Sequence, residues 1–301
     1  MQNDITKPQK PMGTNIHKAI LHLLLAAFFF SLMTFFVRIS GDLPTMQKAF
    51  FRNFFALLIA TGSILKNNVG FSIRKGNGVS VLMRCLFGTS GMIANFWAID
   101  RLGIADANML NKLSPFFAII FSAMLLRERA NRFEWGAVII AMCGAMLVVK
   151  PTFSAEAIPA LAGFCGGLGA GLAYANVRVL GVRGENSMLI VTFFSAFTCA
   201  MLLPNILFNY TPMTGEQWLF LILTGIAAAG GQIFITKAYS RAPAKDISVF
   251  DFSIVIFAAV LGFCFLNQIP DLFSVLGYLV IIGTAVTKYI VLRKKNQRAD
   301  A

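Results

Sequence analysis

The chain has 301 residues, of which 57% are hydrophobic and only 13% charged, with a formal net charge of +13. At a mean hydropathy of +0.72 no soluble domain is left over. The basic residues are spread over separate segments instead of clustering with stacking aromatics, which argues against a nucleic-acid-binding module.

Apolar stretches of about 20 residues recur along the chain, long enough to cross a hydrocarbon core as helices. Lipid offers the backbone no hydrogen-bond partners, so a spanning segment is helical or belongs to a closed barrel. These runs are longer than barrel strands and apolar on all sides, and so read as helices. Ten spans are predicted in chain order: Ala19–Ser40, Gln47–Leu65, Val79–Ile99, Ile104–Leu126, Phe133–Val149, Ile158–Leu180, Met188–Phe208, Gln217–Lys237, Ile247–Leu266 and Leu272–Leu292. Turn chemistry separates them at Pro44, Lys66-Asn67-Asn68, Gly76-Asn77-Gly78, Gly103, Pro151, Gly184, Pro212, Pro243 and Pro270. Only Asp100-Arg101-Leu102-Gly103 divides the third span from the fourth, and Pro159 suits the first turn of the sixth. The first span is too long for a signal-peptide core and no convincing cleavage site follows it, so it stays as a mature helix.

With the N-terminus inside, Lys and Arg accumulate on the inner side, from Lys7, Lys10 and Lys18 to Arg293, Lys294 and Lys295. The outer side receives Arg38, Lys48, Arg52, Arg101, Lys112 and Lys150. The positive-inside rule then puts both termini in the cytoplasm. Cys85, Cys143, Cys165, Cys199 and Cys264 all fall inside spans without CxxC spacing, and read as buried packing residues.

Shifting the chain by about 140 residues aligns it with itself without gaps. Val37-Arg38 and Gly41 fall on Val177-Arg178 and Gly181; Gly91 and Ile93 fall on Gly231 and Ile233; Ala98, Arg101 and Asp106 fall on Ala238, Arg241 and Asp246. Each copy holds five spans, and an odd number inserts the second copy upside down, an architecture common among secondary transporters. The expected fold is an all-α polytopic membrane protein of ten transmembrane helices in two inverted five-helix repeats. Residues 1–17 form a cytoplasmic arm, 18–151 the first repeat, 152–292 the second and 293–301 a basic cytoplasmic tail.

Particular residues carry a family resemblance. Phe51-Arg52-Asn53-Phe54-Phe55-Ala56-Leu57-Leu58 is one segment; Ala98-Ile99, Ala105-Asp106-Ala107, Pro115, Arg127-Glu128-Arg129, Trp135-Gly136, Gly144 and Lys150-Pro151 form another. With Ala238-Tyr239, Ala242-Pro243-Ala244, Phe250-Asp251-Phe252, Gly262 and Pro270 in the second half, the chain resembles the EamA-type carriers of the drug/metabolite transporter superfamily. The pattern looks closest to the branch containing S-adenosylmethionine carriers. The resemblance covers roughly residues 18–294 and implies two EamA domains and carrier-mediated flux of small metabolites. Gln268 departs from it, standing where the second domain often has a Glu matching Glu128; such acids would organise the loop after the helix.

Ionisable groups at membrane depth are costly and usually face a cavity or a partner. Arg52, Lys112, Asp251 and Arg84 lie at such depth. Long basic side chains can instead carry their charge to the interface, which is the reading for Arg84 and the alternative for Arg52 and Lys112. Asp251 is too short for that and is assigned to the cavity. Asn108, Asn111, Lys112 and Pro115 share one helical face, and their repeat mates are Ser248, Asp251, Phe252 and Val255. Interhelical hydrogen bonding is the alternative use of this polar stripe. Pro115 predicts a kink that frees a carbonyl. Trp97, Asn95, Tyr174, Gln232 and Tyr239 would add aromatic walls and amide hydrogen bonds, but Trp97 and Tyr239 are assigned first to an interfacial aromatic belt, with the cavity as their alternative. Gly163, Gly167 and Gly171 form a GxxxG face for helix packing, with a sliding surface as the alternative.

No P-loop, metal cluster or catalytic serine motif is present, and the first helix lacks the Glu that small multidrug pumps use. The sequence therefore reads as a secondary carrier of the bacterial inner membrane, not an enzyme, working by alternating access. Arg52 and Lys112 would place positive charge in the outer half of its cavity and Asp251 negative charge in the inner half, which suits a small zwitterionic or amino-acid-like metabolite. Transport of S-adenosylmethionine or a related nucleoside-bearing metabolite is the alternative, and an intramembrane lipid-modifying enzyme is a third reading. The implied partners are the substrate, the bilayer and, through Asp251, a coupling proton; no cofactor, metal, nucleic acid or ATPase subunit is implied.

Overall fold

A computed structural model describes residues 13–68, 70–102, 110–149, 157–266 and 269–300, and all regular structure among them is helical. The helices are α1 (Gly13–Ile39), α2 (Thr45–Lys66), α3 (Gly78–Leu102), α4 (Ser114–Leu126), α5 (Arg132–Val149), α6 (Ala157–Val182), α7 (Ser187–Asn209), α8 (Gly215–Arg241), α9 (Ser253–Leu266) and α10 (Leu272–Asp300). Among the described residues, eight helical segments are long and apolar enough to cross a membrane. The molecule is thus a polytopic, all-helical membrane protein. Large apolar side chains such as Met124, Leu207 and Val260 are exposed on its outer faces, as expected where lipid is the solvent.

Helix starts follow local capping chemistry. Thr214 and Gln217 form a reciprocal capping box at α8. Asn131 and Glu134 do the same at α5, through Glu134 N to Asn131 Oδ1 at 2.9 Å and Asn131 N to Glu134 Oε2 at 2.7 Å. Asn186 accepts from Met188 N at α7, and Asp271 from Ser274 N at α10.

The fourth and ninth spans depart from the unbroken helices expected of them. In the fourth, the chain turns at Lys112-Leu113 and α4 begins afresh at Ser114, so Pro115 lies in a first turn, where its missing N–H costs nothing, and does not kink a continuous helix. In the ninth, one α-helical turn at Ala244–Ile247 leads into a 3-10 segment, Ser248–Phe252, before α9. The tenth span extends past its apolar limit at Leu292 to Asp300, so most of the expected tail is helical. Helix α3 continues through Leu102, and any turn at Gly103 lies outside the described residues. The cysteines also differ from expectation: Cys85 is buried, Cys199 half-buried, and Cys143, Cys165 and Cys264 are exposed.

His17 of α1 packs edge-on against Tyr289 of α10 with ring centroids 5.4 Å apart, so these two helices meet at one end of the bundle, here called the terminal end. The most extensive contacts are α3 with α6 and α1 with α8; α2 packs on α7, α5 on α10, α4 on α6, and α9 on α1. The 3-10 segment is contacted by α1, α4, α5 and α10. The GxxxG face of α6 meets the broken fourth span: a Cβ on Gly167 would stand 2.7 Å from the Leu110 carbonyl oxygen, and one on Gly171 2.9 Å from that of Ser114. Gly163, Gly167 and Gly171 are all buried, and the small residues let the two segments approach closely.

Candidate functional site

The two interrupted spans meet at their breaks. Lys112, in the turn that precedes α4, donates from Nζ to Asp251 Oδ2 in the 3-10 segment at 3.2 Å. Their side chains are 17% and 11% exposed, so the pair is largely withdrawn from solvent. The expectation that Lys112 and Asp251 mark opposite halves of a cavity is corrected here, because they are each other's counter-ion. Breaking both spans allows this, since the irregular backbone turns side chains inward that a continuous helix would direct elsewhere. The single polar face inferred from i, i+3, i+4, i+7 spacing does not survive two interruptions of the α-helical period.

Beside this pair lies an aromatic wall. Tyr174 of α6 and Tyr239 of α8 stack face to face, with centroids 4.7 Å apart and planes 4° from parallel. Tyr239 is 1% exposed and belongs to the core, which corrects its assignment to an interfacial belt. Asp251, Arg84 and Arg52 all act electrostatically on Tyr174, so residues from α2, α3, α6 and the 3-10 segment converge on one region.

Arg52 and Arg84 bring the positive charge. Arg52 donates from Nη1 to the Met92 thioether at 3.3 Å, a weak acceptor for a guanidinium. Arg84 is 2% exposed, and its guanidinium lies 3.9 Å from the centre of the Phe194 ring. It does not reach the interface, so the snorkelling reading for Arg84 is corrected. Gly88, one turn along α3, leaves room for the Arg84 guanidinium, which a Cβ there would push aside. Among the described residues neither Arg52 nor Arg84 has a carboxylate partner.

The remaining candidates are dispersed. Asn108 lies outside the described residues. Asn111 is half-buried next to Lys112, its backbone against Gly167. Gln232 is buried on α8, and its Nε2 has no partner among the described residues. Trp97 stacks under Arg101 at 3.9 Å and lines a lipid-facing cleft of about 340 Å³ between α3, α6 and α7, away from the charged cluster.

The terminal end is tied together below the cluster. Glu128, after α4, binds Arg178 of α6 in a fork, Nη2 to Oε1 at 2.7 Å and Nε to Oε1 at 3.0 Å, and Arg178 Nη1 also donates to the Ser240 carbonyl of α8 at 3.3 Å. Lys245 donates to the Arg129 carbonyl at 3.0 Å. Glu185 accepts from Asn77 Nδ2 at 2.8 Å and from the Arg74 backbone at 3.1 Å. At the opposite end, Gln47 exchanges two hydrogen bonds with the Thr211 backbone, joining α2 to the loop before α8.

Known proteins share this architecture. A solved crystal structure superposes with a TM-score of 0.81 over 92% of this chain and 99% of its own, at 17% identity, which shows the fold. The pseudopaline exporter CntI of Pseudomonas aeruginosa is 29% identical over 274 residues, covering 90% of this chain and 95% of its own. Human solute carrier family 35 member G1 is 25% identical over 289 residues, covering 90% and 79%. An uncharacterized transporter of Helicobacter pylori is 27% identical over 282 residues, covering 90% and 94%. The model of the EamA-like transporter family matches residues 17–150 and 158–288, almost all of the helical bundle, and the chain therefore belongs to the EamA-like transporter family.

Proposed function

We propose that the protein is a secondary transporter of the bacterial inner membrane that moves a small zwitterionic or amino-acid-like metabolite by alternating access. The observation that carries this is the Lys112–Asp251 pair, formed where the fourth and ninth spans are both interrupted. Interrupted segments in corresponding positions of two halves are the expected surroundings of a transporter's substrate site.

The proposed organisation is a pair of inverted repeats, residues 18–151 and 152–292, with both termini, the arm 1–17 and the tail 293–301 in the cytoplasm. Helix pairing supports it. A repeat that relates each helix to the one five later exchanges the α3–α6 contact with α8–α1, and α4–α6 with α9–α1, while returning α2–α7 and α5–α10 to themselves; all of these contacts are present. The charge bias toward the terminal end supports the orientation.

A substrate with both an amine and a carboxylate would exchange with the Lys112–Asp251 pair, each of its charges replacing one that the protein supplies to itself. Asp251 is then also the group to carry a coupling proton. S-adenosylmethionine, as a cation, would face Arg52 and Arg84, so the charge of the cluster favours the amino-acid-like reading. The 29% identity to a pseudopaline exporter supports export as the direction.

The test is flux in proteoliposomes of compounds first selected by thermal stabilisation of the purified protein, since a ligand that binds only the native state raises its apparent stability. A compound should cross unchanged, and Asp251→Asn should abolish its flux while expression and monodispersity persist. Chemical conversion of the compound would identify an enzyme, and undiminished flux in Asp251→Asn would remove that residue from the site. Reporter fusions at Ala301 and in the Tyr210–Gly215 loop should report opposite compartments; equal compartments would overturn the topology.

A further inference from the structure

Among the described residues, the Lys112–Asp251 pair leaves Arg52 of α2 and Arg84 of α3 without a carboxylate partner. Arg84 is 2% exposed, rests on the Phe194 ring at 3.9 Å and has a buried Nε with no hydrogen-bond partner among the described residues. Arg52 has the Met92 sulfur at 3.3 Å and no carboxylate among the described residues. The two guanidiniums act on each other as like charges, and both act on Tyr174. Of the nearby acids, Asp251 is engaged by Lys112, and Glu128 by Arg178 at the terminal end.

Desolvating an ion without a counter-charge is expensive, and membrane proteins keep such groups where a partner or a passing ligand uses them. Among the described residues, Arg52, Arg84 and Lys112 set three formal positive charges against the one negative charge of Asp251, an excess of two. A ring quadrupole and a thioether offset part of the desolvation but provide no anion. A guanidinium is also the side chain best shaped to grip a carboxylate with paired donors.

We propose that Arg52 and Arg84 are substrate-reading residues, and that the transported metabolite is an amino-acid derivative carrying two carboxylates beyond the charge that its amine balances, one for each guanidinium. The assignment rests on the transporter reading above and narrows its substrate class from zwitterion to net dianion. It turns Arg84 from a residue expected at the interface into the floor of the site. It also gives Gly88 a purpose, since any larger residue there would displace the Arg84 guanidinium. Phe194 and Met92 then hold the empty arginines in place without competing as anions.

The experiment has a ligand-free arm and a ligand arm. Without ligand, relieving an unanswered charge, buried at Arg84 and half-buried at Arg52, should leave thermal stability in detergent unchanged or raise it, so Arg52→Gln and Arg84→Gln should melt at or above the wild-type temperature. A fall of several degrees in both would identify structural arginines and overturn the proposal. In the ligand arm, the probes are aspartate and glutamate bearing N-carboxymethyl or N-carboxyethyl groups, each compared with the same molecule having its added carboxylates as amides. Wild type should bind at least one of the acids ten-fold or more tighter than its amide. Each Gln variant should reduce that ratio to near one, and Arg84→Lys should keep part of it. Equal affinity for acids and amides, or no binding of any acid, would overturn the dianion. Should wild-type proteoliposomes carry a zwitterion or an amide, with flux unchanged in Arg52→Gln and Arg84→Gln, the transporter reading would stand and the dianion alone would fall.

Discussion

Lys112 and Asp251 illustrate how an ion pair in a low-dielectric setting differs from one in water. Each charge is tolerated because the other is 3.2 Å away. Removing one partner strands the other, at a cost of about 3 kcal/mol for a buried pair. Lys112→Gln and Asp251→Asn should each lower stability by roughly that amount. The double substitution should recover most of it, because two neutral amides need no counter-ion. Transport should not recover in the double variant, since the substrate's charges would then have nothing to exchange with. A thermal double-mutant cycle measured alongside flux checks both halves of this expectation, and additive losses of stability would show that the two charges are independent.

Among the helical elements, α6 is the one whose sequence most directly states its neighbour. A Cβ on Gly171 would overlap the Phe117 side chain and come within 2.9 Å of Ala118 N. Gly171→Leu should therefore cost about 1–3 kcal/mol or more through overpacking. Gly62→Ala on α2, where nothing lies within 4 Å, should change stability by less than about 1 kcal/mol. Detergent melting of the two variants gives the comparison. The all-helical, polytopic character was legible because a run of apolar residues has one stable form in lipid. The ends were less so: hydropathy marks where the hydrocarbon stops, and α10 continues as a basic helix beyond it. Pro115 flagged trouble in the fourth span, whereas Ser248-Val249-Phe250-Asp251-Phe252 contains neither Gly nor Pro, and its 3-10 conformation is set by the helices packed around it. Arg52, Lys112, Tyr174 and Asp251 could be picked out as polar or aromatic groups at depth, but their convergence could not, since it depends on both breaks. For Arg84 the long stem permits two destinations, and the room at Gly88 and the Phe194 ring of α7 are tertiary features that the local sequence does not show.

Across the whole molecule the described contacts are less symmetric than the proposed repeats. Helices α6 and α8 touch at the terminal end, where Gly181 lies against the Ser240 backbone, but their repeat mates α1 and α3 do not make a comparable contact. The structure is thus fastened at the terminal end through Arg178, Glu128 and Ser240. If the halves exchange roles during transport, the end of α1 near Gly41 should close on the end of α3 near Arg101 as α6 parts from α8. Spin labels at Asp42 and Arg101 should approach each other when substrate is added, and labels at Arg183 and Arg241 should separate. Glu128→Gln should produce part of the same shift without substrate, because it weakens the fork on Arg178. Movement of both label pairs in the same direction would contradict the exchange. This preference for one end is absent from the sequence pattern, which treats the two copies alike apart from departures such as Gln268 opposite Glu128.

The outward placement of most cysteines has a practical consequence for probe chemistry. Cys165 and Cys264 are exposed on helical segments long and apolar enough to cross a membrane, and Cys143 is exposed on the apolar helix α5. A maleimide that partitions into the bilayer should modify them, while a sulfonated reagent confined to water should leave them untouched. Cys85, packed in the core at 4% exposure, should resist both until the protein unfolds. Its late labelling under a fluorogenic apolar maleimide would then serve as a built-in reporter of melting, once the other four cysteines are changed to Ser or Ala.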